Sequence, residues 1–79
     1  MRISVDISYY PLKEEYKETI KAFIARIKKD PEIEAVTNSM STQLRGEHDK
    51  IMPLLTDEMT NVFQEHRAAF VLKIIKGSD

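Results

Sequence analysis

The 79-residue sequence predicts an α+β fold of the ferredoxin-like βαββαβ type, a four-stranded antiparallel sheet with two helices on one face. Three observations predict it. Apolar residues alternate with polar ones near the start, recur at helical spacing in two later segments, and run almost unbroken near the end. Alternation marks a strand because successive strand side chains point to opposite faces, whereas a helix returns to one face every 3.6 residues or so.

Residues 2–9 read Arg-Ile-Ser-Val-Asp-Ile-Ser-Tyr. Ile3, Val5, Ile7 and Tyr9 share one face and Arg2, Ser4, Asp6 and Ser8 the other, which is the pattern of a half-buried strand. Pro11 is expected to stop it, because proline cannot donate to a ladder. Over residues 13–29, Tyr16, Ile20, Phe23, Ile24 and Ile27 form the apolar stripe of an amphipathic helix, closed by Asp30-Pro31. Residues 34–40 carry β-branched Val36 and Thr37 and predict a second strand; residues 41–46 predict a third, paired with it as a hairpin. The join near Asn38–Ser41 lacks an Asn-Gly type turn.

Gly46 is expected to end the third strand and Asp49 to cap a second helix. Ile51, Leu55, Met59, Val62 and Phe63 keep helical spacing through about residue 65. Pro53 is tolerated only near a first turn, which puts the start of the regular helix close to it. Residues 68–75, Ala-Ala-Phe-Val-Leu-Lys-Ile-Ile, make a nearly continuous apolar run and predict a last strand buried on both faces.

Right-handed crossovers place both helices on the same side of the sheet and leave the other side open. That open face carries Ser4, Asp6 and Ser8 beside apolar side chains of the last strand. A chain this short buries only about 60% of its unfolded surface. A second copy is therefore expected to cover the open face, giving a homodimer or homotetramer; the other reading is a solvated face whose edge strand is apolar for reasons of strand propensity. Lys73 interrupts the apolar run and is expected to pair with Asp6 across neighbouring strands or to reach solvent.

The length allows one domain, residues 1–79. Twelve Lys+Arg against thirteen Asp+Glu leave a net charge of −1, which supplies no basic field for nucleic acid or an anionic membrane. There is no cysteine, so disulfides and thiolate zinc sites are excluded. No apolar run approaches the roughly 18 residues that span a bilayer. Met1–Asp6 alternates and carries an early acid, unlike a signal peptide, and the expected location is cytoplasmic.

Catalytic constellations are absent from the pattern. The serines lack the glycine context of a nucleophile elbow, and two glycines, Gly46 and Gly77, make no phosphate cradle. His48 and His66 read as residues at helix ends, and no metal site or cofactor is expected. A small-molecule site is the better reading. Tyr9-Tyr10-Pro11 and the polar run Thr37–Gln43 come from neighbouring strands and combine an aromatic platform with paired donors and acceptors, suited to a flat heterocycle. The other reading of the same Asn, Ser and Thr side chains is that they satisfy turn backbones.

Ile7-Ser8-Tyr9-Tyr10-Pro11-Leu12, Met40-Ser41-Thr42 and Gly46-Glu47-His48-Asp49, in this order, resemble the YkoF-related family, itself similar to the small thiamin-binding proteins. The resemblance spans roughly residues 2–76. It implies a ferredoxin-like domain that binds thiamin or its hydroxymethylpyrimidine moiety, as part of vitamin uptake or salvage and without catalysis. The namesake carries two such domains in tandem; this sequence holds one, so a homo-oligomer would supply the second. Tyr10 and Pro11 match the Tyr-Pro-Leu segment of the family, and Ser41 and Thr42 its Met-(Ser or Gly)-Thr segment. One departure is the absence of the Gly-Thr linker that many thiamin-binding relatives have before helix one.

The expected ligand-binding residues are Asp6, Ser8, Tyr10, Asn38, Ser41, Thr42 and Gln43. The tyrosine would stack on an aminopyrimidine, the amides and hydroxyls would bond it, and Asp6 would offset positive charge. The rival expectation is a ferredoxin-like oligomeric interaction module that binds no metabolite. An acylphosphatase-like enzyme shares the topology but needs an anion loop followed by Arg, where this strand ends in Tyr-Tyr-Pro.

Overall fold

A computed structural model describes residues 1–77 of the chain. The element order is β1 (Arg2–Pro11), α1 (Tyr16–Ile27), β2 (Glu34–Thr37), β3 (Thr42–Glu47), α2 (His48–Glu65) and β4 (Ala68–Lys76). The four strands form one antiparallel sheet in the order β2-β3-β1-β4, and both helices cross over the same face. This is the predicted ferredoxin-like arrangement.

The core lies between sheet and helices. Ile3, Val5 and Ile7 from β1 meet Leu44 from β3, Phe23 and Ile27 from α1, and Ile51, Leu55 and Val62 from α2. The predicted face of β1 is thus the buried one. Gly46 sits where β3 passes the loop before β2. A Cβ there would come within 3.3 Å of the Glu32 carbonyl oxygen, so only the smallest side chain fits without displacement. Arg26 on α1 donates from Nε to Glu58 Oε2 on α2 at 2.6 Å and ties the two helices together.

Several boundaries differ from expectation, each for a local reason. β1 runs through Pro11 instead of ending there. Its pairing with β3 stops at Ile7, whereas its pairing with β4 continues to Pro11–Ala68. Leu12 N–H donates to the Arg67 carbonyl on the β4 side, so by alternation the absent Pro11 N–H falls on the side where β3 has ended. That bond also holds residue 12 extended and delays α1 from residue 13 to Tyr16. β2 has four residues rather than seven, because Asn38 folds the chain. Its side-chain oxygen accepts from the N–H groups of Met40 (2.8 Å) and Ser41 (3.0 Å), and its own N–H donates to the Ser41 carbonyl.

β3 extends past Gly46 to Glu47, and α2 begins at once with His48. Glu47, not Asp49, holds the cap position, with extended backbone and no side-chain cap bond. The chain start does the capping: His48 N–H donates to the Met1 carbonyl at 2.8 Å, and the Met1 ammonium meets Glu47 Oε2 at 2.9 Å. Asp49 lies in the first turn, where its charge suits the helix dipole. Pro53 sits inside α2 rather than at its start.

β4 is not buried on both faces. Among the described residues no layer covers its open face, where Val71 is 55% exposed and Ile75 68%. Among the described residues, no helix is long and apolar enough to cross a membrane, and no group of His, Asp and Glu could hold a metal ion.

Candidate functional site

Strand parity sorts the chemistry onto two sides of the sheet. Ser4, Asp6, Ser8 and Tyr10 of β1, Gln43 and Arg45 of β3, and Val71, Lys73 and Ile75 of β4 share the open side by register. Thr42, Leu44 and Tyr9 point the other way, toward the helices.

On the open side Asp6 is the hub. Ser41 Oγ donates to Asp6 Oδ1 at 2.6 Å, and Gln43 Nε2 donates to the same oxygen at 2.9 Å and to Ser41 Oγ at 2.7 Å. Lys73 is directly opposite Asp6 in the register and brings Nζ to 4.0 Å from Oδ2, the cross-strand pair expected from the sequence. The Ser41 hydrogen bond most of all, then that of Gln43, holds the Asp6 carboxyl below its ordinary value; partial burial opposes them and Lys73 adds a smaller pull. Charge-assisted hydrogen bonds favour the ionised form, so Asp6 is a fixed anion at neutral pH. Around it a shallow groove of about 630 Å³ extends across the sheet, past Val36, Arg45 and Ile75.

A second cavity, about 440 Å³, opens at the end of the sheet on the helix side, between α1 and the β2–β3 turn. Its volume lies within the usual range for small-molecule sites, about 300–1,000 Å³. Tyr9, Tyr10, Tyr16 and Phe23 supply aromatic lining, and Thr37 to Thr42 supply polar lining. The hydroxyls of Thr37 and Thr42 share a 3.1 Å hydrogen bond. Two hydroxyls that share one bond keep a further O–H and several lone pairs for a ligand.

Tyr9 anchors the inner wall. Its ring stacks on Phe70 at 4.7 Å between centroids and tilts against Phe23 at 4.8 Å. Its hydroxyl shares a 2.7 Å hydrogen bond with Nε2 of His66, the residue at which α2 ends in extended backbone. Burial pushes the Tyr9 phenol above its ordinary value, so it stays protonated across the neutral range.

The seven residues expected from the sequence therefore divide. Tyr10, Asn38, Ser41 and Thr42 line the end cavity; Asp6 and Gln43 line the open groove; Ser8 stands on the open face opposite Val71. Ser41 joins the two regions, since it lines the cavity while its hydroxyl reaches Asp6. Asp6 itself does not line the cavity with Tyr10. The Asn38 oxygen is engaged by its own turn, as the turn-satisfying reading anticipated, and its amide lies 3.5 Å from Gln43 Oε1.

Sequence reasoning missed the contribution of α1. Tyr16, Ile20 and Ile24 read as core positions, yet Tyr16 is 47% exposed and all three line the cavity. Tyr9 likewise turns its ring to the helix side, while Tyr10 alone remains exposed on the other parity.

What fold and cavity define is a ferredoxin-like domain with a small-molecule-sized pocket at one end of its sheet. Residues 5–79 match the family model described as thiamine-binding protein, and the chain belongs to that family. Comparison with curated proteins gives no match. Among solved structures, the chain is similar to protein SP2199 of Streptococcus pneumoniae, at 25% identity and TM-score 0.86, covering 99% of this chain and 89% of that one. Hypothetical protein MJ1052 of Methanocaldococcus jannascii is 26% identical with TM-score 0.81, covering 99% and 82%. A Thermotoga maritima protein proposed for thiamine biosynthesis or salvage shares the fold at 21% identity and TM-score 0.84, covering 99% and 86%.

Proposed function

We propose that this chain binds thiamin or its hydroxymethylpyrimidine moiety, without catalysing a reaction on it, and serves vitamin uptake or salvage in the cytoplasm. The observation that carries the reading is the end cavity, in which the tyrosines of β1 and α1 meet the Thr37–Thr42 hydroxyl pair. A tyrosine ring offers a stacking surface to a flat heterocycle. An aminopyrimidine presents an N–H donor beside a ring-nitrogen acceptor, and the hydroxyl pair offers the complementary acceptor and donor. Membership of the thiamine-binding family supports the same ligand class.

The working unit in this proposal is a homo-oligomer joined through the open sheet face. Val36, Val71 and Ile75 are each more than half exposed there, and acids and bases alternate across the surface: Glu34 lies opposite Arg45, and Asp6 opposite Lys73. A surface holding both signs can complement itself about a two-fold axis.

Calorimetric titration of the intact chain with thiamin and with hydroxymethylpyrimidine tests the ligand. Saturable heat and a raised melting temperature are expected. Neither heat nor thermal shift at millimolar ligand would sink the proposal. One observation favours the rival reading of an interaction module without a metabolite: Asp6, Asn38, Ser41, Thr42 and Gln43 already bond one another or their own turn. The same titration separates the two.

A further inference from the structure

The end cavity is lined by fourteen residues, and none of them is Lys, Arg, His, Asp or Glu. In a chain that is 32% charged, this uncharged wall is a property of the site and not of the surface at large. We infer that the pocket takes the unphosphorylated form of its heterocycle and rejects the phosphate ester. The inference rests on the proposed binding of an aminopyrimidine and specifies which chemical form of it enters.

Recognition of a phosphate monoester needs charge-assisted hydrogen bonds from Arg or Lys, or a concave nest of backbone N–H groups. The lining offers neither cation. In the β2–β3 turn, the Met40 and Ser41 N–H groups are bound to the Asn38 oxygen and the Asn38 N–H to the Ser41 carbonyl. Those donors are therefore committed inside the protein.

Charges around the pocket do not rescue an anion: Arg26, whose charge is felt at Tyr9, is already paired with Glu58 at 2.6 Å. The Asp6 carboxylate, one hydrogen bond away through Ser41, is itself negative and would repel it. Lys73 lies on the open side against Asp6. The segment that leads into and opens α1 carries Glu14, Glu15 and Glu18 against Lys13 and Lys17, with no net positive charge. Glu18 in the first turn also offsets the helix dipole there. A phosphate drawn into this wall would lose water and gain no cationic partner, which disfavours the charged form. A neutral ring loses little, because the stacking surface and the hydroxyl pair replace its hydration.

Titration calorimetry on the intact chain, at neutral pH and one fixed ionic strength, compares hydroxymethylpyrimidine with hydroxymethylpyrimidine phosphate. The ester is expected to bind at least tenfold more weakly. Met40→Lys then adds a cation at the rim, where Met40 is 82% exposed and tolerant of change. In that variant the ester should gain twofold or more relative to the alcohol, and added salt should erase the gain. Equal or tighter binding of the ester by the parent chain overturns the inference while leaving the ligand class standing. A folded Met40→Lys chain with an unchanged ratio also counts against it. Heat from neither compound removes the binding proposal itself, and this inference with it.

Discussion

The Arg26–Glu58 contact gives the sharpest test of how the pocket is held, because α1 supplies one of its walls and this pair fastens α1 to α2. Glu58 is 8% exposed, and Arg26 meets it at 2.6 Å with a side chain 38% exposed. Arg26→Met keeps the length of the stem and removes the partner, leaving a carboxylate largely out of water. Breaking a fully buried pair costs about 3–5 kcal/mol. The exposure of Arg26 lets water reach part of the site, so the expected loss is about 1–3 kcal/mol. A domain of this size has only about 4–12 kcal/mol in total, and each kcal/mol moves its melting point by about 4–8 °C. Arg26→Met should therefore melt about 5–20 °C below the parent. Glu58→Leu and the double variant complete a cycle, read by urea unfolding. The double variant should recover to within about 1 kcal/mol of the parent, because two apolar groups no longer leave a buried charge unpaired. A cost under about 0.5 kcal/mol for Arg26→Met, or additivity of the two single changes, would refute the argument.

Three further outcomes are expected. Asp6 has its carboxyl held below the ordinary value in the folded chain, so it contributes stability that is present above the unfolded value and lost as pH falls through the folded one. Below about pH 4 the parent should lose urea resistance more steeply than Asp6→Asn, and parallel acid profiles of the two proteins would contradict this. Tyr16→Ala, at a half-exposed position, should leave the melting point nearly unchanged while weakening aminopyrimidine binding by about 1–3 kcal/mol in calorimetry, the worth of one base-on-ring stack. Pro53→Ala restores an N–H within α2 that can reach the Asp49 carbonyl, and should raise stability by about 1 kcal/mol or more in thermal unfolding.

The fold was legible because burial is periodic. Ile3, Val5 and Ile7 occupy one face by necessity of the strand, and Phe23, Ile27, Leu55 and Val62 the inner side of two helices, so pattern alone yields the layers. Boundaries were less legible wherever a partner distant in sequence decides them. Nothing near His48 says that the Met1 carbonyl will satisfy its N–H, and nothing near Pro11 says that β3 will have ended beside it. β4 misled for a related reason: its apolar run reports a preference for burial, whereas the topology puts both helices on one face and leaves its other face open. At the site, residue types were readable but parity was not applied far enough. Asp6 and Thr42 lie on opposite sides of one sheet, and that follows from their register once Ile7 is paired with Thr42.

β2 has four residues, pairs only with β3, and leads into the turn that forms the polar wall of the cavity. An edge of this length has few ladder bonds to break, so amides from Glu34 to Ser41 open to solvent before those of the central strand β1. The wall that would meet a ligand is consequently the segment with the most order left to gain. Occupancy should then be legible in hydrogen exchange as local slowing along Thr37–Ser41, at ligand concentrations too low to move the melting point. In a domain with so small a reserve of stability, give at one edge is the form of adjustment to a guest that would leave the core that supports it intact.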